Sequence, residues 1–189
     1  MDTKIENFQT KELKNGKFVK PKLVTFIQDG EKKDWEIVEV NDSVAILIYD
    51  NSKDKFILVK QFRPALFQKD KRGITLELCA GIVDKDLSLA QIATEEVYEE
   101  CGYKVDANLL ERVTSFYTSV GFAASRQTLF YVEVDESMRV GSGGGVEGEK
   151  IEVVELSKEE AKEIIFDDEV AKTPGLCFAF SWWFMSKDG

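Results

Sequence analysis

Glu96, Glu99 and Glu100 lie three and four residues apart in the stretch 81–103, GIVDKDLSLAQIATEEVYEECGY. On a helix that spacing stacks the carboxylates along one face. Like charges so placed repel by roughly 0.2–0.5 kcal/mol per pair, so the cluster calls for a compensating partner. A hard divalent cation such as magnesium, which favours oxygen ligands, would supply one. A solvated acidic face is the other reading of the same spacing.

The flanking residues supply a frame for these acids. Residues 74–80, ITLELCA, read as one short strand with Ile74, Leu76 and Leu78 on a common side. Ala80-Gly81 breaks it and lets backbone come close to another group. Ser88 is placed as a helix N-cap before the apolar stripe Leu89, Ile92, Ala93 and Val97. Gly102 is placed as the C-terminal stop. The unit is therefore strand, loop, helix and glycine stop, with acids on one side of the helix and core on the other.

Composition narrows the chemistry. The chain of 189 residues contains no histidine. That excludes a serine or cysteine hydrolase relying on an imidazole base, and histidine-ligated zinc. Carboxylates and a hard metal are the economical means left to a hydrolase. A net charge of −10 argues against nucleic acid and anionic membranes as partners. No run approaches the ~18 apolar residues of a membrane span. The polar N-terminus is unlike a secretory signal. Cys79, Cys101 and Cys177 read as free thiols in a reducing, cytoplasmic compartment.

The rest of the chain reads as strands around this unit. Residues 22–28 and 35–40 form a hairpin about Asp29-Gly30, and 43–49 and 55–61 form a second. The first is more polar, and reads equally well as a hairpin on its own domain or as an arm packed on a partner subunit. Arg63 leaves the second hairpin. It reads as a surface charge or as a phosphate ligand beside a metal site. Residues 68–73, QKDKRG, read as a basic loop. A strand at 128–134 follows a small-residue loop at 119–125 that ends near Arg126. The glycine-rich segment 136–150 carries Glu147 and Glu149 at its end. A loop of that length is functional or disordered, and a mobile one carrying acids is a natural source of a general base. Ser157 with Glu160 starts one helix by a capping box. Thr173-Pro174 starts the last, whose Phe178, Phe180, Trp182, Trp183 and Phe184 are expected in core or dimer packing.

The central stretch resembles the Nudix box, G-x5-E-x7-R-E-U-x-E-E-x-G-U, where U is a bulky apolar residue. Gly81, Glu96, Val97, Glu99, Glu100 and Gly102 match it, and Tyr103 matches loosely. Leu87 and Glu95 depart from it, at an acid and an arginine that are mainly structural in the family and can pair with each other. The likeness extends over most of 22–185 through DSVAILIYDN, LVKQFRPA, ELCAGIVD, SRQTLFY, the GGG loop and GEKIEVVEL. It is similar to the nucleotide-sugar pyrophosphatase branch, nearest the uridine diphosphate glucose arm. A proline usual in the ADP-sugar arm is missing near Tyr117-Thr118-Ser119.

The resemblance implies an α/β fold, the Nudix α/β/α sandwich with a mixed sheet. It also implies an N-terminal antiparallel strand subdomain, residues 1–42, exchanged across a homodimer, with the Nudix domain at 43–189. The Ala80 carbonyl and the carboxylates of Glu96 and Glu100 would hold Mg2+, or Mn2+ in its place, with Glu99 assisting. Glu149, with Glu147 beside it, would bind metal or activate water. Arg63 would hold the diphosphate. Trp35 would stack on the nucleobase, from the other subunit, and Arg126 is a further candidate for substrate contact. The implied reaction is hydrolysis of UDP-glucose to UMP and glucose 1-phosphate. An ADP-ribose or ADP-sugar pyrophosphatase, and a non-catalytic Nudix binding protein, are the alternatives.

Overall fold

The computed structural model describes residues 3–14, 16–146 and 148–188. Its first element is a separate two-stranded antiparallel sheet of β1 (Lys20–Gln28) and β2 (Glu31–Glu39). Asp29 and Gly30 join them with φ of 54° and 84°. Positive φ at both central residues is the geometry that matches strand twist in a tight hairpin.

The main sheet has seven strands: β3 (Ser43–Asp50), β4 (Lys55–Phe62), β5 (Ile74–Glu77), β6 (Cys79–Ile82), β7 (Glu111–Thr118), β8 (Ser125–Val134) and β9 (Ile151–Leu156). β3 and β8 pair in parallel, and the remaining pairs are antiparallel, so the sheet is mixed as expected. Four helices accompany it: α1 (Pro64–Asp70), α2 (Leu89–Cys101), α3 (Lys158–Phe166) and α4 (Pro174–Ser186).

Alternation along the central strand builds a layer on each face of the sheet. Val44, Ile46 and Ile48 pack with Ile92, Ala93 and Val97 of α2. Ala45, Leu47 and Tyr49 pack with Ala161 of α3 and with Leu176, Ala179, Phe180 and Trp183 of α4. Burying each large side chain of this kind contributes about 1.5–3 kcal/mol, which makes the two apolar faces the main force holding helices to sheet. The result is the α/β/α sandwich.

Two local expectations change. Residues 74–80 form two strands. β3 and β4 pair only beside their shared turn, at Ile48↔Ile57, Tyr49↔Phe56 and Asp50↔Lys55, and then diverge. β5 runs in along β4 with Val59↔Glu77, and β6 runs out along β3 with Ala45↔Ala80. The buried Leu78 lies between them at the fork. The wedge between two diverging strands therefore splits what reads as one strand. The second change is α1, where a loop was expected. Pro64 stands at its first position after an extended Arg63, and Lys71 ends it in the left-handed region at φ 66°. Proline at that position costs the helix no hydrogen bond.

The last helix is core on one side, with Phe180 and Trp183 buried, but Phe178 is 42% exposed. Among the described residues, no helix is long and apolar enough to cross a membrane.

Candidate metal and catalytic site

The acids are positioned by a helix fixed at both ends. Ser88 Oγ accepts from the Gln91 N–H, and Gln91 Oε1 accepts from the Ser88 N–H at 3.0 Å, a reciprocal cap. Gly102 closes the other end at φ 76° and donates to the Tyr98 carbonyl at 3.0 Å. Between these caps α2 turns Val97 into the core and Glu96 and Glu100 toward β6, with the charge of Glu99 acting on Glu96. Glu100 is 5% exposed and accepts a hydrogen bond from the Ala80 N–H at 3.0 Å. A Cβ added at Gly81 would fall 2.0 Å from Glu96 Oε1, so glycine lets the strand lie against that carboxylate without displacing it. The fold thus brings Ala80, Glu96 and Glu100 together.

Electrostatics in this corner disfavour charge. Burial pushes the Glu96 carboxyl up to about 7, reinforced by Glu99 and Glu149 and opposed by Lys85. Burial also pushes Glu100 up to about 7, opposed by the Ala80 N–H and Cys79, with Glu96 and Glu149 adding to the rise. Desolvated carboxylates facing one another resist ionising unless a cation joins them.

The glycine-rich segment, read as functional or disordered, is bonded to the C-terminal turn of α2. The last carbonyls of a helix have no partner within it. Gly145 N–H donates to the Glu99 carbonyl at 3.0 Å and Gly144 N–H to the Glu100 carbonyl at 2.9 Å. A Cβ at Gly143 would fall 2.2 Å from the Glu100 carbonyl oxygen. The same loop delivers Glu149, whose Oε2 accepts from the Val146 N–H at 3.3 Å. The neighbouring candidate, Glu147, lies outside the described residues.

The two departures from the box have a local explanation. Glu95 pairs with Lys85 Nζ at 2.5 Å, linking the loop to the helix. An ion pair of loop and helix is thus kept with the charges exchanged, and Leu87, 38% exposed, strands no partner.

Arg63 forms a bidentate pair with Glu77, Nε to Oε1 at 2.8 Å and Nη2 to Oε2 at 2.6 Å. Glu100 and Glu149 also favour its charge, which puts its guanidinium at the edge of the acid cluster. The Nη1 nitrogen takes no part in the Glu77 pair. Trp35 sits on the N-terminal hairpin, 57% exposed, and its indole N–H donates to the Gly121 carbonyl of the same chain at 2.8 Å. Arg126 is exposed at the start of β8, where its backbone N–H donates to Asp42 Oδ1 at 2.8 Å. The structure therefore groups Arg63 with the acids, while the bonds shown for Trp35 and Arg126 go to Gly121 and Asp42.

Oxygen donors alone compose the candidate metal centre: Glu96, Glu99, Glu100 and the Ala80 carbonyl. Among the described residues, no three His, Cys, Asp or Glu side chains form a ready-made ligand cluster. The acids nonetheless act on one another through space, and burial holds two of them near neutrality. This set fits a hard divalent cation, whose charge would offset the desolvation.

Sequence reasoning missed Glu77, Gln127 and Phe178. All three line a cleft of about 630 Å³ that Ala80 also lines. Glu77 carried a signal, since Thr75 and Glu77 are two residues apart on a strand and share a face, and here they are hydrogen-bonded. Gln127 and Phe178 carried none, because they meet only when the start of α4 packs against β8.

Comparison with known proteins agrees with this geometry. The NUDIX domain family model matches residues 39–172. The chain is 37% identical to uridine diphosphate glucose pyrophosphatase NUDT14 of Mus musculus, with 88% of each chain covered. It is 38% identical to the Bos taurus protein of the same name over the same shares. It is also 37% identical to a GDP-mannose pyrophosphatase of Cronobacter sakazakii, with 86% of each covered. With α2 capped and its acids turned onto Ala80, the chain belongs to the Nudix family and is a Nudix hydrolase.

Proposed function

We propose that this chain hydrolyses the diphosphate of nucleoside diphosphate sugars, converting UDP-glucose and water to UMP and glucose 1-phosphate, with Mg2+ as cofactor and Mn2+ as a substitute. The observation that carries the reading is the pair Glu96 and Glu100, desolvated against Ala80 and overlooked by Glu149. Magnesium bound there would neutralise the diphosphate and make water a better nucleophile at neutral pH.

The residues of the chain do the rest. Glu96, Glu100 and the Ala80 carbonyl hold the ion, with Glu99 assisting. Glu149 takes the proton of the attacking water, and Glu147 is its neighbouring candidate. Arg63, oriented by Glu77, offers its remaining N–H groups to a phosphate oxygen. The water oxygen adds to phosphorus and the P–O–P bond breaks, so each product keeps one phosphate. Arg126 is assigned a lesser contact with substrate.

The uridine assignment follows the NUDT14 relatives, and the GDP-mannose pyrophosphatases favour guanosine as a second reading. Residues 1–42 act as a dimer arm on the Nudix domain at 43–189, and Trp35 stacks on the nucleobase bound by the partner chain. Leu23, Phe26 and Ile27 stand exposed on that arm, apolar surface that a second copy would cover. The three free cysteines are in keeping with a cytoplasmic protein.

A magnesium-dependent assay over UDP-glucose, UDP-galactose, GDP-mannose, ADP-glucose and ADP-ribose tests the assignment, with products identified by mass. UMP and glucose 1-phosphate from UDP-glucose are expected. Absence of both would overturn the uridine reading. Cleavage of GDP-mannose in their place would support the second.

A further inference from the structure

We propose that the cleft beside Ala80 is the glycosyl subsite, where the hexosyl ring of the substrate lies while the diphosphate rests on the acids. This assignment rests on the nucleotide-sugar reading above. The cleft has a volume of about 630 Å³, within the range of ligand pockets and ample for a hexose with its water. Ala80 and Glu77 are among its lining residues, so it shares residues with the metal and arginine site. Ser119 and the first turn of α4 also line it.

The lining selects the class of occupant. Among the described residues, no lysine or arginine lines the cleft, and the one carboxylate that does, Glu77, is held by Arg63. An uncharged group suits it, and a second phosphate does not. Phe116 and Phe178 meet edge to face at 5.8 Å and 66°. They make a wall rather than the parallel slot that a flat base would fill. A sugar ring lays C–H groups on such a wall and turns hydroxyls toward polar neighbours. Gln127 supplies the buried-side polar group. Its Nε2 donates to Ser43 Oγ at 3.3 Å, which fixes the amide and leaves Oε1 beside Gly175.

Gly175 is in keeping with an occupied cleft. It lies in the first turn of α4, where alanine would favour the helix by up to about 1 kcal/mol. Its φ is not in the left-handed region, so backbone freedom does not explain it. A Cβ there would fall 2.8 Å from Gln127 Oε1 and 3.5 Å from Phe116 Cζ. Glycine keeps room for the amide at the cleft wall.

Phe178→Ala and Gly175→Val test the proposal, each purified with thermal unfolding as a check on folding. The readouts are calorimetric binding of glucose 1-phosphate and of UMP with magnesium present, and KM for UDP-glucose. Loss of an aromatic wall is expected to weaken glucose 1-phosphate and raise KM by about tenfold, with UMP within about twofold of wild type. Unchanged glucose 1-phosphate binding in both variants would overturn the assignment. So would selective weakening of UMP, which would make the cleft a nucleoside site. If the wild-type protein cleaves UDP-glucose and both variants bind glucose 1-phosphate as well as it does, the cleft assignment alone falls. If wild type neither cleaves UDP-glucose nor binds glucose 1-phosphate, the underlying reading falls and the cleft assignment with it.

Discussion

The acid corner and the N-terminal hairpin are built in opposite ways. Around Glu100, strand end, helix and glycine loop hold one another through main-chain groups: the Ala80 N–H on Glu100, and Gly144 and Gly145 on the carbonyls of α2. The hairpin of β1 and β2 touches the rest of the chain through bonds at the 119–124 turn, Val38 N–H to the Phe122 carbonyl and Trp35 to Gly121. Every residue of β1 is exposed, Ile27 by 78%. The proposed metal corner is therefore built within one chain, while the proposed base contact depends on where the hairpin lies. Changes in the corner should strike turnover, and changes in the hairpin should strike substrate affinity.

The largest effect is expected at Glu100. Glu100→Gln keeps the Ala80 hydrogen bond in reach and removes the charge, so turnover of UDP-glucose should fall at least about a hundredfold in a folded protein. Near-normal turnover would sever the corner from the chemistry. Gly81→Ala follows. Its methyl group would overlap the Glu96 carboxylate, so activity should drop roughly tenfold to a hundredfold, mainly in kcat. An effect confined to KM would break the contrast between the two regions.

Trp35→Ala should do the reverse and raise KM about tenfold or more, the scale of lost base stacking, with kcat little changed. Mixing Trp35→Ala chains with Glu100→Gln chains sharpens this. At substrate well below KM, where Trp35→Ala chains alone are weak, the mixture should reach about a quarter of wild-type activity if the partner's Trp35 completes each site, from the one intact site of each mixed dimer. Activity no higher than the two variants give separately would return Trp35 to its own chain, where its bond to Gly121 already holds it. The smallest effect is expected at Lys85→Ala. The Lys85–Glu95 pair is exposed on both sides, so its loss should cost less than about 1 kcal/mol and shift Tm by under about 4 °C. A loss of turnover as large as for Gly81→Ala would make the pair part of the machinery.

What could be read from sequence follows the same division. The caps of α2 and the stacking of its acids are local signals: Ser88, Gly102 and a spacing of three and four. They were legible without knowledge of the fold. The close approach of Gly81 was anticipated, but from a break after Ala80 that the structure does not have: β6 runs on through Gly81 to Ile82, and the break falls at Leu78. The fork at Leu78 was not legible, because the strand divides only where β3 and β4 part. The helix α1 was legible in principle from Pro64, but its short length and the basic residues after it resemble a loop. The 136–150 segment was legible as functional or disordered, but not its anchorage, because its glycines serve carbonyls of a helix some forty residues away in sequence, a partnership that composition cannot show. The cleft was least legible, since Gln127, Gly175 and Phe116 come from three separate elements.

The central claim is that the acids of α2, together with Ala80, hold the divalent cation that the reaction needs. Titration of Mn2+ into the purified protein, followed by electron paramagnetic resonance, reads binding without reference to turnover. Saturable binding by the wild-type chain, largely lost in Glu100→Gln while the fold is retained, is the predicted result. Equal Mn2+ binding by Glu100→Gln and wild type would contradict the account.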